Sequence, residues 1–380
     1  MSETAGAVPA RAGGRGRAVA LFNRLGPLIG LVLVWLLFAA LTGHDFIRWD
    51  NQRLMLLQTA VVGTAAVGAT LIIISGGIDL SVGASIALGT MVVALALKVG
   101  AGPLVAGLAG VGTGLLCGAA IGAMVIGHVG RVAAVILGAL AVVWWREAVG
   151  TVAAVLLAVG LCGAVLALNE LALRRVPLAP FIATLGMWGA LRGAAKGLGG
   201  NQPIYPPDPG WLGTLMSSGS SGLSAALPPG VWVLLILAAV MAAVLRYTRF
   251  GRHIFAIGSN ERTARLCGVR VERTKLLIYA VGVGCAGLAA LLQFAYLSMG
   301  DPTTAEGYEL KVIAAVVIGG ASLAGGEGSI LGTLVGALIM TVVDNGCTKL
   351  GLDNWVQEIV TGAIIVGAVT LDRLRHREQS

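Results

Sequence analysis

Between positions 246 and 275 eight basic residues stand close together in a chain that is otherwise largely apolar: Arg246, Arg249, Arg252, Arg262, Arg265, Arg270, Arg273 and Lys275. A lysine or arginine at the centre of a membrane span costs about 2.5–3.5 kcal/mol. A segment this basic therefore lies outside the hydrocarbon, and its positive excess puts it on the cytoplasmic side. That single placement orients the apolar runs before and after it. Within the segment Ser259 or Asn260 suits the N-cap of a short helix, Glu261 through Leu266 its body, and Gly268 its stop. Charge alone leaves two uses open, a loop that only fixes topology and a helix that docks a cytoplasmic partner.

The rest of the chain obeys the same constraint. Only 12% of the 380 residues are charged and 57% are hydrophobic, with mean hydropathy +0.89, where a soluble domain carries about 25% charge. The expected class is all-α, a polytopic membrane protein with little room for a soluble domain. A net charge of +8 would suggest nucleic acid in a soluble chain. Here the positives sit at span ends and loops, so orientation in the lipid accounts for them and no nucleic-acid partner is expected. The 57 glycines suit close helix packing. Cys117, Cys162, Cys267, Cys285 and Cys347 are an odd number without metal spacing, which reads as free thiols. No catalytic residue, metal site or cofactor is expected. No GxxxxGK[ST] occurs, so the chain does not hydrolyse ATP through such a loop.

Residues 1–24 read as a basic cytoplasmic tail containing Arg11, Arg15 and Arg17, and 373–380, with Arg373, Arg375 and Arg377, as a second. Spans are expected at 25–43, 54–75, 80–97, 103–126, 180–197, 231–245, 276–298, 310–320, 330–344 and 356–371. The stretch 127–171 lies between Arg131 and Arg174, both assigned inside, so it crosses an even number of times. A pair of spans, 132–145 and 149–168, with Trp144 and Trp145 as interface anchors, competes with a re-entrant element and a tilted helix. The total is twelve spans or ten, with both termini cytoplasmic either way. Residues 198–230 form the longest external loop, and 299–309 a short acidic one.

Asp79, between two spans and behind two glycines, reads as the N-cap of the following helix, or as a gate or wall of a cavity; the two are compatible. The glycine-rich run 319–329 lacks the lysine of a phosphate loop and reads as a tight turn between half-helices. Gln58, Thr59, Gln293, Asn345 and Gln357 are uncharged polar groups in or near spans. They suit a neutral, hydroxyl-rich solute, and each equally suits an interhelical hydrogen bond.

Four motifs in order then carry a resemblance: Gln-Thr-Ala at 58–60 leading to Gly-Gly-Ile-Asp-Leu-Ser at 76–81; Pro-Phe-Ile-Ala-Thr-Leu-Gly at 180–186 with Leu-Arg-Gly at 191–193; Phe-Gly-Arg at 250–252 through Ala-Ile-Gly-Ser-Asn-Glu at 256–261 to Leu-Cys-Gly-Val at 266–269; and Gly-Gly-Ala-Ser-Leu-Ala-Gly-Gly at 319–326. Together they resemble the membrane permease of bacterial ribose/xylose-type ABC importers across most of 50–372. The resemblance implies a transport subunit rather than an enzyme, seated in the bacterial inner membrane. Its implied partners are a cytoplasmic ABC ATPase, an external sugar-binding protein and a second permease copy. It also implies a permease domain over 25–372, with 246–275 as the cytoplasmic coupling loop. Gly258, Ser259, Asn260, Glu261, Ala264, Arg265 and Gly268 would form the ATPase-coupling helix, while Asp79, Ser81, Gln58, Thr59, Gln293 and Asn345 would line the translocation pathway or gate it. Two departures stand out: 127–171 looks like an inserted helix pair, and Lys311 stands where the family's pattern leads to an acidic residue. Rival solutes are an autoinducer-like furanoside, a nucleoside or a branched-chain amino acid. A secondary transporter without an ATPase is the rival class.

Overall fold

The computed structural model describes residues 14–149, 151–168, 178–217 and 227–377. Among these the fold is all-α, and strand pairing is confined to an isolated bridge between Ile204 and Gly300. The first half comprises α1 (Gly14–Thr42), α2 (His44–Ile47), α3 (Trp49–Ile74), α4 (Val82–Lys98), α5 (Pro103–Val125), α6 (Val129–Val149), α7 (Thr151–Leu168) and α8 (Pro180–Leu198). The second comprises α9 (Pro229–Tyr247), α10 (Arg249–Ser259), α11 (Glu261–Leu266), α12 (Val271–Leu297), α13 (Tyr308–Ile318), α14 (Ile330–Lys349) and α15 (Asn354–Arg377). Prolines open α5, α8 and α9, where a missing N–H costs nothing and the ring pre-sets φ. Five of the described helices, α3, α5, α9, α12 and α14, are long and apolar enough to cross a membrane.

Several boundaries differ from those read off hydropathy; α4 begins at Val82 and α13 ends at Ile318, inside the expected spans, whereas other helices run past them. Helix α1 begins at Gly14 rather than near Leu25 and passes through Pro27. Helix α12 begins at Val271, and α15 continues to Arg377, through residues expected to be tail. Hydropathy marks where lipid contact ends. Backbone hydrogen bonding continues past that point wherever good helix formers such as Ala, Leu, Arg and Glu follow. Residues 1–13 and 378–380 of the expected tails, 218–226 of the long loop, and Arg174 and Arg175 lie outside the described residues. Trp144 and Trp145 fall on α6, but their side chains are also outside them.

Helix α3 is the axis of the bundle. Of its most apolar stretch 94% is buried in protein, and α9, α12, α13 and α14 pack against it. Its neighbours approach closely because glycines face one another. A Cβ on Gly68 would sit 2.1 Å from the carbonyl oxygen of Gly282 on α12, and one on Gly118 of α5 would sit 2.2 Å from that of Tyr279. Helices α13 and α14 run antiparallel in the same way, with a Gly336 Cβ 1.9 Å from the Ala315 oxygen. Close backbone approach replaces the hydrophobic drive that lipid cannot supply. Helices α6 and α7 pack chiefly on each other, with a lighter contact from α6 to α5. The expected extra pair is thus a helical hairpin at the side of the bundle, held partly by the Cys162 thiol, which donates to the Ala134 carbonyl at 3.0 Å.

Candidate functional site

The basic segment folds as two short helices on a hydrophobic seat. Thr248 caps α10, its hydroxyl accepting from the Gly251 N–H at 3.1 Å, and buried Ile254 and Ile257 face inward. Of the two candidate caps for the next helix, Asn260 is the one used: its side chain accepts from the Thr263 N–H at 2.9 Å. Gly268, at φ +84°, ends α11 in the left-handed conformation that glycine adopts without penalty. Ala264 closes a small core with Ile257 and Val271. Glu261 accepts from Lys275 at 2.7 Å and from Arg265 at 3.5 Å. The hydrogen bond and charge of Glu272 raise the pKa of Arg265 above its ordinary value. Leu266, at the tip, is 88% exposed. Composition gave no reason to single it out, though an isolated leucine in a basic run was a legible signal.

Gly258 does not share the exposed surface of this segment. It lies in the last turn of α10, where a Cβ would stand 1.8 Å from the Ile74 carbonyl oxygen and 2.6 Å from the Gly326 nitrogen. The Gly326 N–H donates to that same Ile74 oxygen at 2.8 Å. Gly325 and Gly326 take φ of +88° and +81°, so the 319–329 turn can reach across without side chains. Three breaks in the chain, after α3, after α10 and after α13, thus meet backbone to backbone. The glycine-rich run is the turn expected between α13 and α14.

Asp79 is not the N-cap of α4. That position is Ser81, and the Asp79 carboxylate accepts from both the Ser81 N–H at 2.8 Å and the Ser81 hydroxyl at 2.7 Å. The helix starts at Val82, so Ser81 takes the cap position and the carboxylate, two residues earlier, folds forward onto it. Its second oxygen is buried without a partner, as is the nearby Tyr279 hydroxyl. Thr184 of α8 contacts the same loop through the Ile78 carbonyl at 3.3 Å.

The other polar candidates lie at the opposite end of α3, about 24 Å along the axis from Ile74 to Gln58 at 1.5 Å per residue. Gln58, Gln293 and Asn345 line one cavity of about 230 Å³ together with Tyr308, Lys311 and Asp344. Thr59 does not line it; its hydroxyl meets that of Thr341 at 2.6 Å, an interhelical bond. Asn345 does both, exchanging amide hydrogen bonds with buried Asn51 at 2.9 and 3.0 Å. Gln293 donates to Thr304 at 2.9 Å. Gln357, at the cavity edge, donates to the Leu352 carbonyl at 3.0 Å. Lys311, the unexpected base, pairs with Asp344 at 2.6 Å, with both side chains only 25% and 20% exposed. The departure at Lys311 thus has a partner on the facing helix. Arg192, which interrupted a span in the sequence, is buried and donates to the carbonyls of Pro302 and Thr304 at 3.0 and 2.7 Å, pinning the turn before α13.

The described residues form an arrangement with two distinct ends. It has a buried polar cavity at one end, a backbone junction at the other, and a capped, charged, leucine-tipped helix beside the junction. Residues 126–369 match the family described as the permease component of the branched-chain amino acid transport system. The ribose import permease protein RbsC of Escherichia coli K12 is 34% identical over 90% of this chain and 91% of its own length. The chain belongs to this permease family. The fructose import permease protein FrcC of Rhizobium meliloti is 30% identical to the permease over 91% of this chain and 84% of its own. The xylose transport system permease protein XylH of Haemophilus influenzae is 29% identical over 91% and 94%. No solved structure matches the permease. The family match spans Gly258, Gly326, Lys311 and Asp344, so both ends of the permease's bundle draw on it.

Proposed function

We propose that this permease is the membrane-spanning subunit of an ATP-driven importer that carries a monosaccharide across a bacterial inner membrane. The observation that carries the reading is the near full-length similarity to a ribose import permease. Relatives named for fructose and xylose favour a sugar over the amino acid in the family's description. On this reading both termini and the 246–275 segment are cytoplasmic, the bundle crosses ten or twelve times depending on the α6–α7 hairpin, and a second copy completes the transporter. A separate ABC ATPase hydrolyses ATP, and an external binding protein delivers the solute.

Gly258 to Gly268 would be the coupling element. Exposed Leu266 flanked by Arg262 and Arg265 suits a helix seated in a groove of the ATPase. Movement of α10 and α11 would pass through Gly258 to Ile74 and Gly326, and so to the Asp79 loop and to the α13–α14 pair. The proposed mechanism is alternating access, with the junction tilting α3, α13 and α14 together. Two measurements test it. Tagged permease purified gently from native membranes should bring down an ATPase, and Glu261→Lys, which sets a lysine against Lys275 and Arg265, should abolish that recovery while leaving insertion intact. Proteoliposomes holding the full assembly should accumulate D-ribose, D-xylose or D-fructose on ATP addition. Accumulation of leucine instead would replace the sugar by an amino acid, and recovery of the permease alone would move it to the ATP-independent transporters.

A further inference from the structure

The cavity at the end of α3 remote from the basic segment has a composition that a packing defect would not have. Two of its acceptor atoms, Gln58 Oε1 and Asp344 Oδ1, are buried with no hydrogen-bond partner. An unpaired buried acceptor is costly, so such groups in a native structure call for a ligand or ordered water. The Lys311 ammonium spends one N–H on Asp344 Oδ2 and has three donors in all. The cavity therefore offers free acceptors and free donors within one side-chain pair. Tyr296 and Tyr308 line the same space and add ring surface. A second cavity of about 700 Å³ shares Lys311, Asp344 and Gln357 with the first and continues toward α15.

From this we infer that the permease itself holds a solute subsite for a neutral polyhydroxylated molecule of monosaccharide size, built on Gln58 and the Lys311–Asp344 pair. A hydroxyl donates and accepts at once, so a vicinal diol satisfies both Asp344 Oδ1 and the spare Lys311 N–H groups. The pair is internally neutral, so a solute of net charge gains little from it. The apolar face of a sugar ring covers a tyrosine ring, the usual division of labour in small-molecule sites. The volume of about 230 Å³ is small for a ligand pocket and suits a single ring; anything longer would have to extend into the adjoining space toward α15. The subsite lies beside the turn held by Arg192 and Gln293.

The assignment rests on the monosaccharide reading, and the test separates the two. The whole assembly, reconstituted in proteoliposomes, is assayed for uptake of D-ribose, D-xylose, D-fructose and leucine and for ATP hydrolysis in parallel. Gln58→Leu should lower sugar uptake per ATP about tenfold, the loss of one buried hydrogen bond, with ATPase recovery on purification unchanged. Exchanging the pair as Lys311→Asp with Asp344→Lys should keep the fold and change the ranking of the three sugars. Independently, Gln58→Cys should react with a methanethiosulfonate and be protected by the transported sugar, with the wild-type assembly, which keeps the native cysteines but lacks the new thiol, labelled in parallel as background. If wild type carries a sugar but Gln58→Leu keeps full uptake per ATP and the new thiol is not protected, the subsite falls and the importer stands. If wild type carries leucine and none of the three sugars, the monosaccharide reading and the subsite fall together. Should Gln58→Leu fail to assemble, protection of the cysteine decides alone.

Discussion

The two ends of α3 are built by opposite means. At Ile74 the contacts are backbone to backbone: Gly258, Gly325 and Gly326 carry nothing that could rotate away, and one carbonyl oxygen serves the neighbouring chain break. At Gln58 they are side chain to side chain, with paired asparagines, paired threonines and the Lys311–Asp344 bridge. A backbone junction has no rotamers, so displacement of one helix end must displace the others. A side-chain cavity can exchange partners with a solute at little cost to the helices that frame it. On the proposed function, this difference suits the first end to transmission of motion and the second to recognition.

The sharpest way to break this contrast is Gly258→Val. Its Cβ would lie 1.8 Å from the Ile74 oxygen, and overpacking against backbone should cost about 3 kcal/mol, read as a lowered apparent melting temperature, with transport lost. Normal uptake by this variant would mean that α10 moves freely of α3. Next in size, Lys311→Met leaves a mostly buried Asp344 carboxylate without its base and should cost about 2 kcal/mol. Restoration of stability by adding Asp344→Leu would show that the unpaired charge, rather than lost packing, is the cause. Asn260→Ala removes the cap of α11 and should cost about 1 kcal/mol, measured as faster amide exchange confined to residues 261–266. Smallest in stability, Leu266→Asp alters a side chain with no packing of its own and should change stability by under about 0.5 kcal/mol. It should nevertheless abolish ATPase recovery. A variant stable yet still bound would move the docking surface elsewhere on the basic segment.

Much of the local chemistry was legible in order along the chain. The Asn260 cap, the Gly268 stop, the turn at 319–329 and the run of apolar helices follow from residue types whose preferences are set by their own covalent structure. The Asp79 cap failed because sequence shows the carboxylate before the helix but not that the helix starts late enough for Ser81 to take the cap. Thr59 and Asn345 could not be sorted from sequence. An amide in a span bonds to a neighbouring helix or faces a cavity according to what stands opposite, and Asn51 and Thr341 are remote in the chain.

Lys311 makes the same point from the other side. It broke an expected pattern, and only its neighbour across the α13–α14 pair, Asp344, accounts for it. The sequence alone decided that this chain is helical, belongs in lipid, and turns a charged, capped segment toward one side, because transfer energies and capping depend on residues and their near neighbours. Which glycines meet, which polar groups are left without partners, and that three chain breaks share one carbonyl oxygen were decided by tertiary structure. Those are facts about distance between residues far apart in the chain, and no local preference encodes them.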